Sequence, residues 1–314
     1  MLRMIGRRVA IAVPLLVFVS LLVFALSAIS PADPAKAILG EGATPESVAE
    51  LHHRLGLDQP FVQRYWSWLA ELFHGSLGNS WYGDIPVTTK IAQAAPTTIS
   101  LVLAAIVLTA LVGIPFGLYS GMHRGGRLDR VAGAAAAVGL AMPEFWVALI
   151  LILVLAVQLH LLPGTGAVNL SANPWDNAQH LAIPVIAIAL PQICALYRLT
   201  RASSGIVSQQ DYVRTARAGG ISEWSLLWSR VAKNALVPSV TLLGLQLGRM
   251  IGIAAVVESV YGLQGVGSIA VQGALSSDLP IVLGVVLVTA AVVMAANLLA
   301  DIGTYYLAPK ARKG

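Results

Sequence analysis

The sequence predicts an all-α integral membrane protein with six transmembrane helices and a helical extracytoplasmic loop after the first. Three observations carry this. Only 11% of the 314 residues are charged, against about 25% in a soluble domain. The mean hydropathy is +0.76, and six stretches are each long and apolar enough to cross a bilayer. The basic residues also fall on alternate sides of those stretches, as a membrane topology requires. Together these exclude a disordered chain and leave too little charge to coat a soluble fold of this length. The lone cysteine, Cys194, can form neither an internal disulfide nor a cysteine-cluster metal site.

The spans follow in chain order. Val9–Ser30 is uncharged. Arg3, Arg7 and Arg8 before it resemble a signal-peptide n-region, but the apolar run exceeds the usual 7–15 residues and five more spans follow, so it is expected to stay as a helix. Pro96–Tyr119 is the second, and Val131–Leu159, interrupted by Glu144, the third. Leu181–Leu199 contains Pro184 and Pro191, Val237–Val257 holds Arg249, and Leu279–Leu299 opens with Pro280. Helix is the expected state because lipid satisfies no backbone polar group and no alternating barrel pattern occurs.

With the N-terminus in the cytoplasm, segments 1–8, 120–130, 198–236 and 308–314 lie inside and hold 15 of the 20 Lys and Arg residues. The outside loop 31–94 holds four basic residues against seven acids, and loops 160–180 and 258–278 hold none. The net charge of +5 therefore records topology, and no nucleic-acid face is expected. Both termini should be cytoplasmic.

Within loop 31–94, Thr44-Pro45-Glu46 reads as a helix N-cap, a first-turn proline and a first-turn acid. Val48, Leu51 and Leu55 follow at helical spacing, and Gly56 is a stop signal. Phe61, Tyr65, Trp68, Leu69 and Leu72 form a second stripe. Such helices could cap the membrane domain, offer a docking surface to an external partner, or both. The cytoplasmic segment 203–236 places Tyr212, Val213, Ala216, Leu226, Leu227 and Val231 among Arg214, Arg217, Glu223, Arg230 and Lys233, around a Gly219-Gly220 bend. It is too polar to cross lipid and too apolar to float free, so it should lie on the membrane or plug into a partner.

Here the chain resembles a family. Arg214-Thr215-Ala216, with Gly220 four residues on, is similar to the "EAA…G" loop of bacterial binding-protein-dependent ABC transporter permeases. The run from Asp211 to Gly220, followed by Asn234-Ala235-Leu236-Val237-Pro238, resembles the dipeptide/oligopeptide branch. Arg214 and Thr215 replace the general glutamate and first alanine, as is normal for the peptide branch, and Gly219 stands where the branch often has lysine. Gly56-Leu57-Asp58-Gln59-Pro60, Gly75-Ser76-Leu77-Gly78-Asn79-Ser80, Pro143-Glu144-Phe145-Trp146, Leu161-Leu162-Pro163 and Glu258-Ser259-Val260-Tyr261 agree in order and spacing, so the likeness covers nearly the whole chain.

The resemblance implies six helices of the ABC importer permease type, organised as a first helix with its loop (1–94), a five-helix core (95–308) and a basic tail (309–314), in a bacterial inner membrane. It implies a non-catalytic subunit that pairs with a second, homologous permease. Two separate ATPase subunits or domains would bind ATP and Mg, and an extracytoplasmic binding protein would deliver di- or oligopeptides. The absence of any Gly-Lys pair, and so of a P-loop, agrees with this division. Arg214, Thr215, Ala216, Arg217, Gly220, Ser222 and Glu223 are the expected ATPase-coupling residues. Similar permeases carry haem, nickel, glutathione or oligosaccharide. A stand-alone secondary transporter is the remaining alternative, and it would leave 203–236 unexplained.

Glu144 and Arg249 are intramembrane charges, each costing about 3 kcal/mol to insert without a partner or water. Each lies roughly 18–20 Å along its helix from the cytoplasmic end at about 1.5 Å per residue. They could pair, or line a polar pathway, as could Glu258. Gly113/Gly117/Gly121 and Gly244/Gly248/Gly252 mark one helix face each, for packing within the chain or between two permeases. His52 and His53 point apart on a helix and suggest no metal site.

Overall fold

The computed structural model describes residues 2–29, 33–166, 168 and 173–307. Among them the regular structure is helical, apart from one isolated bridge between Asn79 and Pro86. The end of the first expected span at Ser30, and the basic tail 309–314, lie outside the described residues. Among the described residues, five helices are long and apolar enough to cross a membrane, and a bent pair makes a sixth if it is counted as one span. The chain divides into two compact units, residues 1–98 with 263–294, and residues 99–262 with 295–314.

In the first unit, α1 (Leu2–Ile29) is followed by the short α2 (Pro34–Leu39), α3 (Pro45–Arg54) and α4 (Phe61–Phe73). The Thr44 hydroxyl accepts from the Ser47 amide and the Ser47 hydroxyl from the Thr44 amide, so the expected N-cap is a full capping box. Gly56 ends the turn after α3 with φ +65°, a conformation that suits glycine. Asp33 caps α2 and sits 2.8 Å from His52 Nε2, and that hydrogen bond holds its carboxyl below the ordinary carboxylate value. The predicted α4 stripe is the buried one. Tyr65, Trp68 and Leu69 pack with Phe24 of α1 and with Leu279, Leu283 and Leu287 of α13 (Leu279–Leu307). After α4, Asp278 holds the 76–86 loop: it accepts from the Ser80 hydroxyl at 2.5 Å and the Trp81 amide at 3.2 Å, and Lys90 Nζ donates to Ser80 Oγ at 2.9 Å. Another helix, α12 (Val266–Leu275), belongs to the same unit.

The second unit is built on α8 (Pro174–Val207), whose most apolar window is two-thirds buried. Its neighbours are α5 (Val87–Met122), α6 (Arg127–Ala141), α7 (Glu144–Leu151) and α11 (Ala232–Tyr261). The first glycine stripe explains how close α5 comes. A Cβ on Gly117 would stand 2.6 Å from Thr200 Cβ and 2.9 Å from the Tyr197 carbonyl oxygen. One on Gly121 would stand 2.6 Å from the Arg201 carbonyl oxygen. That stripe is a seam within the chain. In the second, Gly244 faces Ala300 of the same unit, whereas Gly252 opens on empty space.

The expected third span is corrected. Val131–Leu159 is not one helix: α6 stops at Ala141, α7 starts at Glu144, and the two are bent by 105°. Pro143 forces this. It pushes Met142 out of helical space (φ −85°, ψ 126°) and offers no amide to continue the ladder. Beyond α7 the helix widens into a π turn over Ile152–Gln158. Depth counted along a straight helix therefore does not apply to Glu144.

Gly117→Leu should force α5 off α8, an overpacking cost of about 3 kcal/mol. It should lower the thermal unfolding midpoint in detergent, while Gly252→Leu at the open position leaves the midpoint unchanged.

Candidate functional site

The polar segment after α8 folds as α9 (Asp211–Ala218), a Gly219-Gly220 turn, the one-turn α10 (Glu223–Leu226), and a π turn over Leu227–Val231 that runs into α11. Its apolar residues are consumed by the chain itself. Val213 is fully buried among Leu118 of α5, Leu226, Leu227, Val231, Ala232 and Ala235, with Met122 and Val207 against the edge. Asn234 donates to the Tyr212 hydroxyl at 2.8 Å. The segment is thus fastened to the C-terminal ends of α5 and α8 and the N-terminal end of α11, a use of its apolar side that the sequence reading did not include.

The expected coupling residues divide in two. Gly220, with φ +82°, closes α9: its amide donates to the Arg217 carbonyl and the Ile221 amide to that of Ala216. Ser222 caps α10 by accepting from the Ser225 amide. Arg217 and Glu223 bind each other across the turn, Nε to Oε1 at 2.6 Å and Nη2 to Oε2 at 3.1 Å. Glu223 opens the helical stretch that runs on into the apolar span. These four residues shape the loop. Arg214 and Thr215 stand exposed on α9, with Ala216 half-buried beneath them. Two exposed tryptophans, Trp224 and Trp228, meet edge to face at 5.8 Å beside this surface. The sequence reading passed over them, although aromatics spaced i, i+4 at the end of an apolar span are an interface signal.

The base of this surface is rigid. Asp129, buried at the start of α6, accepts from Arg201 Nε, from Arg201 Nη2 at 2.8 Å and from the Gly125 amide at 2.9 Å. Arg124 donates to the Ala202 carbonyl and lies where a Cβ on Gly205 would stand. The Ser204 hydroxyl donates to the Leu118 carbonyl at 2.9 Å.

Deeper in the same unit, Arg249 Nη2 lies 3.9 Å from Glu144 Oε1. The two charges expected at equal depth do meet, though at the outer limit of an ion pair. The Arg249 side chain is 71% exposed and that of Glu144 23%. Leu245, Arg249, Gly252, Val256 and Ser259 are all exposed and follow one another on one face of α11. Glu258 lies on the other side of the helix, fully buried, so it lines no open surface of the chain.

Two family models match the chain. Residues 113–313 match the binding-protein-dependent transport system inner membrane component, and residues 1–102 match the N-terminal part of such a membrane component. A Brucella abortus (strain 2308) protein named as a peptide transport system permease is 39% identical over 96% of both chains. The dipeptide transport system permease protein DppB of Escherichia coli (strain K12) is 32% identical, also over 96% of both. Among solved structures, a chain of the MetNI methionine ABC transporter in an inward-facing conformation matches with TM-score 0.57 at 14% identity, over 70% of this chain and 97% of that one. At that identity the likeness is one of fold.

Asp129→Ala should remove the carboxylate from the partly exposed Arg201 and free the Gly125 amide, lowering stability by about 2 kcal/mol. Arg217→Ala, which breaks an exposed pair, should cost less than about 1 kcal/mol. Thermal unfolding of the two variants side by side checks both.

Proposed function

The chain belongs to the family of binding-protein-dependent transport system inner membrane components; it is a membrane-embedded permease subunit of an ABC importer, and we propose that its cargo is a di- or oligopeptide moved by alternating access. The observation that carries the mechanism is the fastening of α9: its buried side is locked to the ends of α5, α8 and α11, and its exposed side presents Arg214 and Thr215. A push on that surface moves three helices together. Separate ATPase subunits, which bind ATP and Mg, supply the push in the cytoplasm, where both termini also lie. The charges and small residues of 214–223 set the register of docking.

The pathway lies between this chain and a second, homologous permease. An exposed arginine in the middle of an apolar span is costly against lipid, so the Leu245–Arg249–Gly252–Val256 face meets water or protein. Arg249 and Glu144 then stand where the charged ends of a peptide pass. Loading depends on an extracytoplasmic binding protein. The peptide cargo is supported by the relatives named as peptide and dipeptide permeases.

In a Cys194→Ala background, Thr215→Cys should resist an impermeant maleimide added to intact cells and react once the membrane is opened. In the assembled importer the same cysteine should cross-link to the ATPase subunit. Labelling from outside overturns the topology, and an uncross-linked but active complex overturns the docking. In proteoliposomes with the binding protein, peptides should stimulate ATP hydrolysis; stimulation by haem, nickel, glutathione or oligosaccharide alone replaces the cargo. Exchanging the charges, Glu144→Arg with Arg249→Glu, should leave the folded protein intact and abolish uptake. Full uptake by the exchanged pair would make the two a structural ion pair.

A further inference from the structure

The helix α4 carries more apolar surface than its packing uses. At 3.6 residues per turn, Phe61, Tyr65, Trp68, Leu69 and Leu72 form the face turned to α1 and α13. Val62, Trp66 and Phe73 continue that apolar arc sideways and are exposed, Trp66 by 62% and Phe73 by 84%. Gln63, Ser67 and Glu71 occupy the remaining arc and are also exposed. The helix therefore has three sides: one on protein, one apolar and uncovered, and one polar.

Its depth decides what meets the uncovered apolar side. The Tyr65 hydroxyl lies 2.9 Å from Ser20 Oγ and donates to the Val17 carbonyl at 3.3 Å. Val17 is near the middle of the apolar α1, about 18 Å of helix short of Ile29 at 1.5 Å per residue. On α13 the same cluster reaches Leu287, about 12 Å past Leu279. Within a hydrocarbon layer of about 30 Å, a helix fixed to those residues lies beside the outer parts of α1 and α13, not above them. The surroundings at that depth are acyl chains.

We propose that α4 is an interfacial helix of the outer leaflet, its Val62–Trp66–Phe73 side immersed in lipid and its Gln63–Ser67–Glu71 side turned to water. Arg64, half-buried between the packed side and the polar arc, keeps its guanidinium 5.6 Å from the Phe24 ring centroid. A three-sided pattern of this kind is what a helix lying in the bilayer plane requires. Loop 31–94 would then grip the outer leaflet as well as the spans, rather than standing as a cap exposed to water on every free side. The inference rests on the proposed topology, with α1 and α13 crossing the bilayer and the N-terminus inside, and it holds whatever the cargo.

Single cysteines at positions 62, 63, 66, 67 and 73 in the Cys194→Ala full-length chain, spin-labelled in phosphatidylethanolamine–phosphatidylglycerol liposomes, test it. Collision with oxygen relative to a water-soluble nickel chelate should be several-fold higher at 62, 66 and 73 than at 63 and 67. Equal, chelate-dominated accessibility at all five positions overturns the proposal and returns α4 to water. Shielding of 62, 66 and 73 from both reagents also overturns it, since a protein surface would then cover the face. Glu46→Cys on the exposed first turn of α3 supplies the aqueous reference.

Discussion

The approach of two backbones, α5 on α8, sets the geometry of the larger unit. Gly117 and Gly121 bring the α5 main chain against the carbonyls of Tyr197 and Arg201, where any side chain would collide. In a membrane no hydrophobic force drives helices together, so such contacts rest on dispersion and on short polar bonds made possible by proximity. Those bonds are present: Ser204 to the Leu118 carbonyl, and Thr200 to Ser239 of α11 at 2.8 Å. One small-residue seam thus positions three helices, and the ends that it aligns are the ones that hold Val213.

The same constraint sorts the polar groups of the spans. Gln246 donates to the Gln192 carbonyl at 3.0 Å, and Tyr261 to that of Ala148 at 3.0 Å. These bonds are buried and tie α8 and α7 to α11, although the Gln246 Oε1 has no partner among the described residues. Arg249 behaves differently. Its side chain is mostly exposed, its bond to Glu144 is long, and the glycine one turn on has open space before it. An arginine directed outward at mid-span is costly against lipid. The fold anticipates water or a second subunit on that side.

Much of this was legible in the sequence because it rests on local chemistry. Thr44, Pro45 and Ser47 specify the start of α3 without reference to anything distant, and the α4 stripe follows from spacing alone. The break at Met142-Pro143 was also written locally, in a residue before proline, but a long apolar run masked it: hydropathy sees composition and not whether the helix turns. Tertiary outcomes were less accessible. That Gly113, Gly117 and Gly121 face α8 while Gly252 faces open space depends on which helices become neighbours. That Val213 and Leu226 bury each other depends on a turn whose direction Gly220 sets. That Trp224 and Trp228 meet edge to face depends on the helix running on from α10 into the π turn.

The coupling surface separates what a fold demands from what a partner demands. Gly220 must take a left-handed conformation, Ser222 must cap, and Arg217 must reach Glu223; altering any of them changes the shape of the loop. Arg214 and Thr215 sit on the outer side of α9, where the fold asks only for helix formers of modest size. These are also the two positions at which the sequence departs from the general glutamate and alanine of the loop it resembles. A departure there costs the fold nothing, and an arginine where a glutamate is usual reverses the charge that this face presents. Arg214 and Thr215 are thus the outward part of the surface, while the turn, the cap and the Arg217–Glu223 pair around them hold α9 in place.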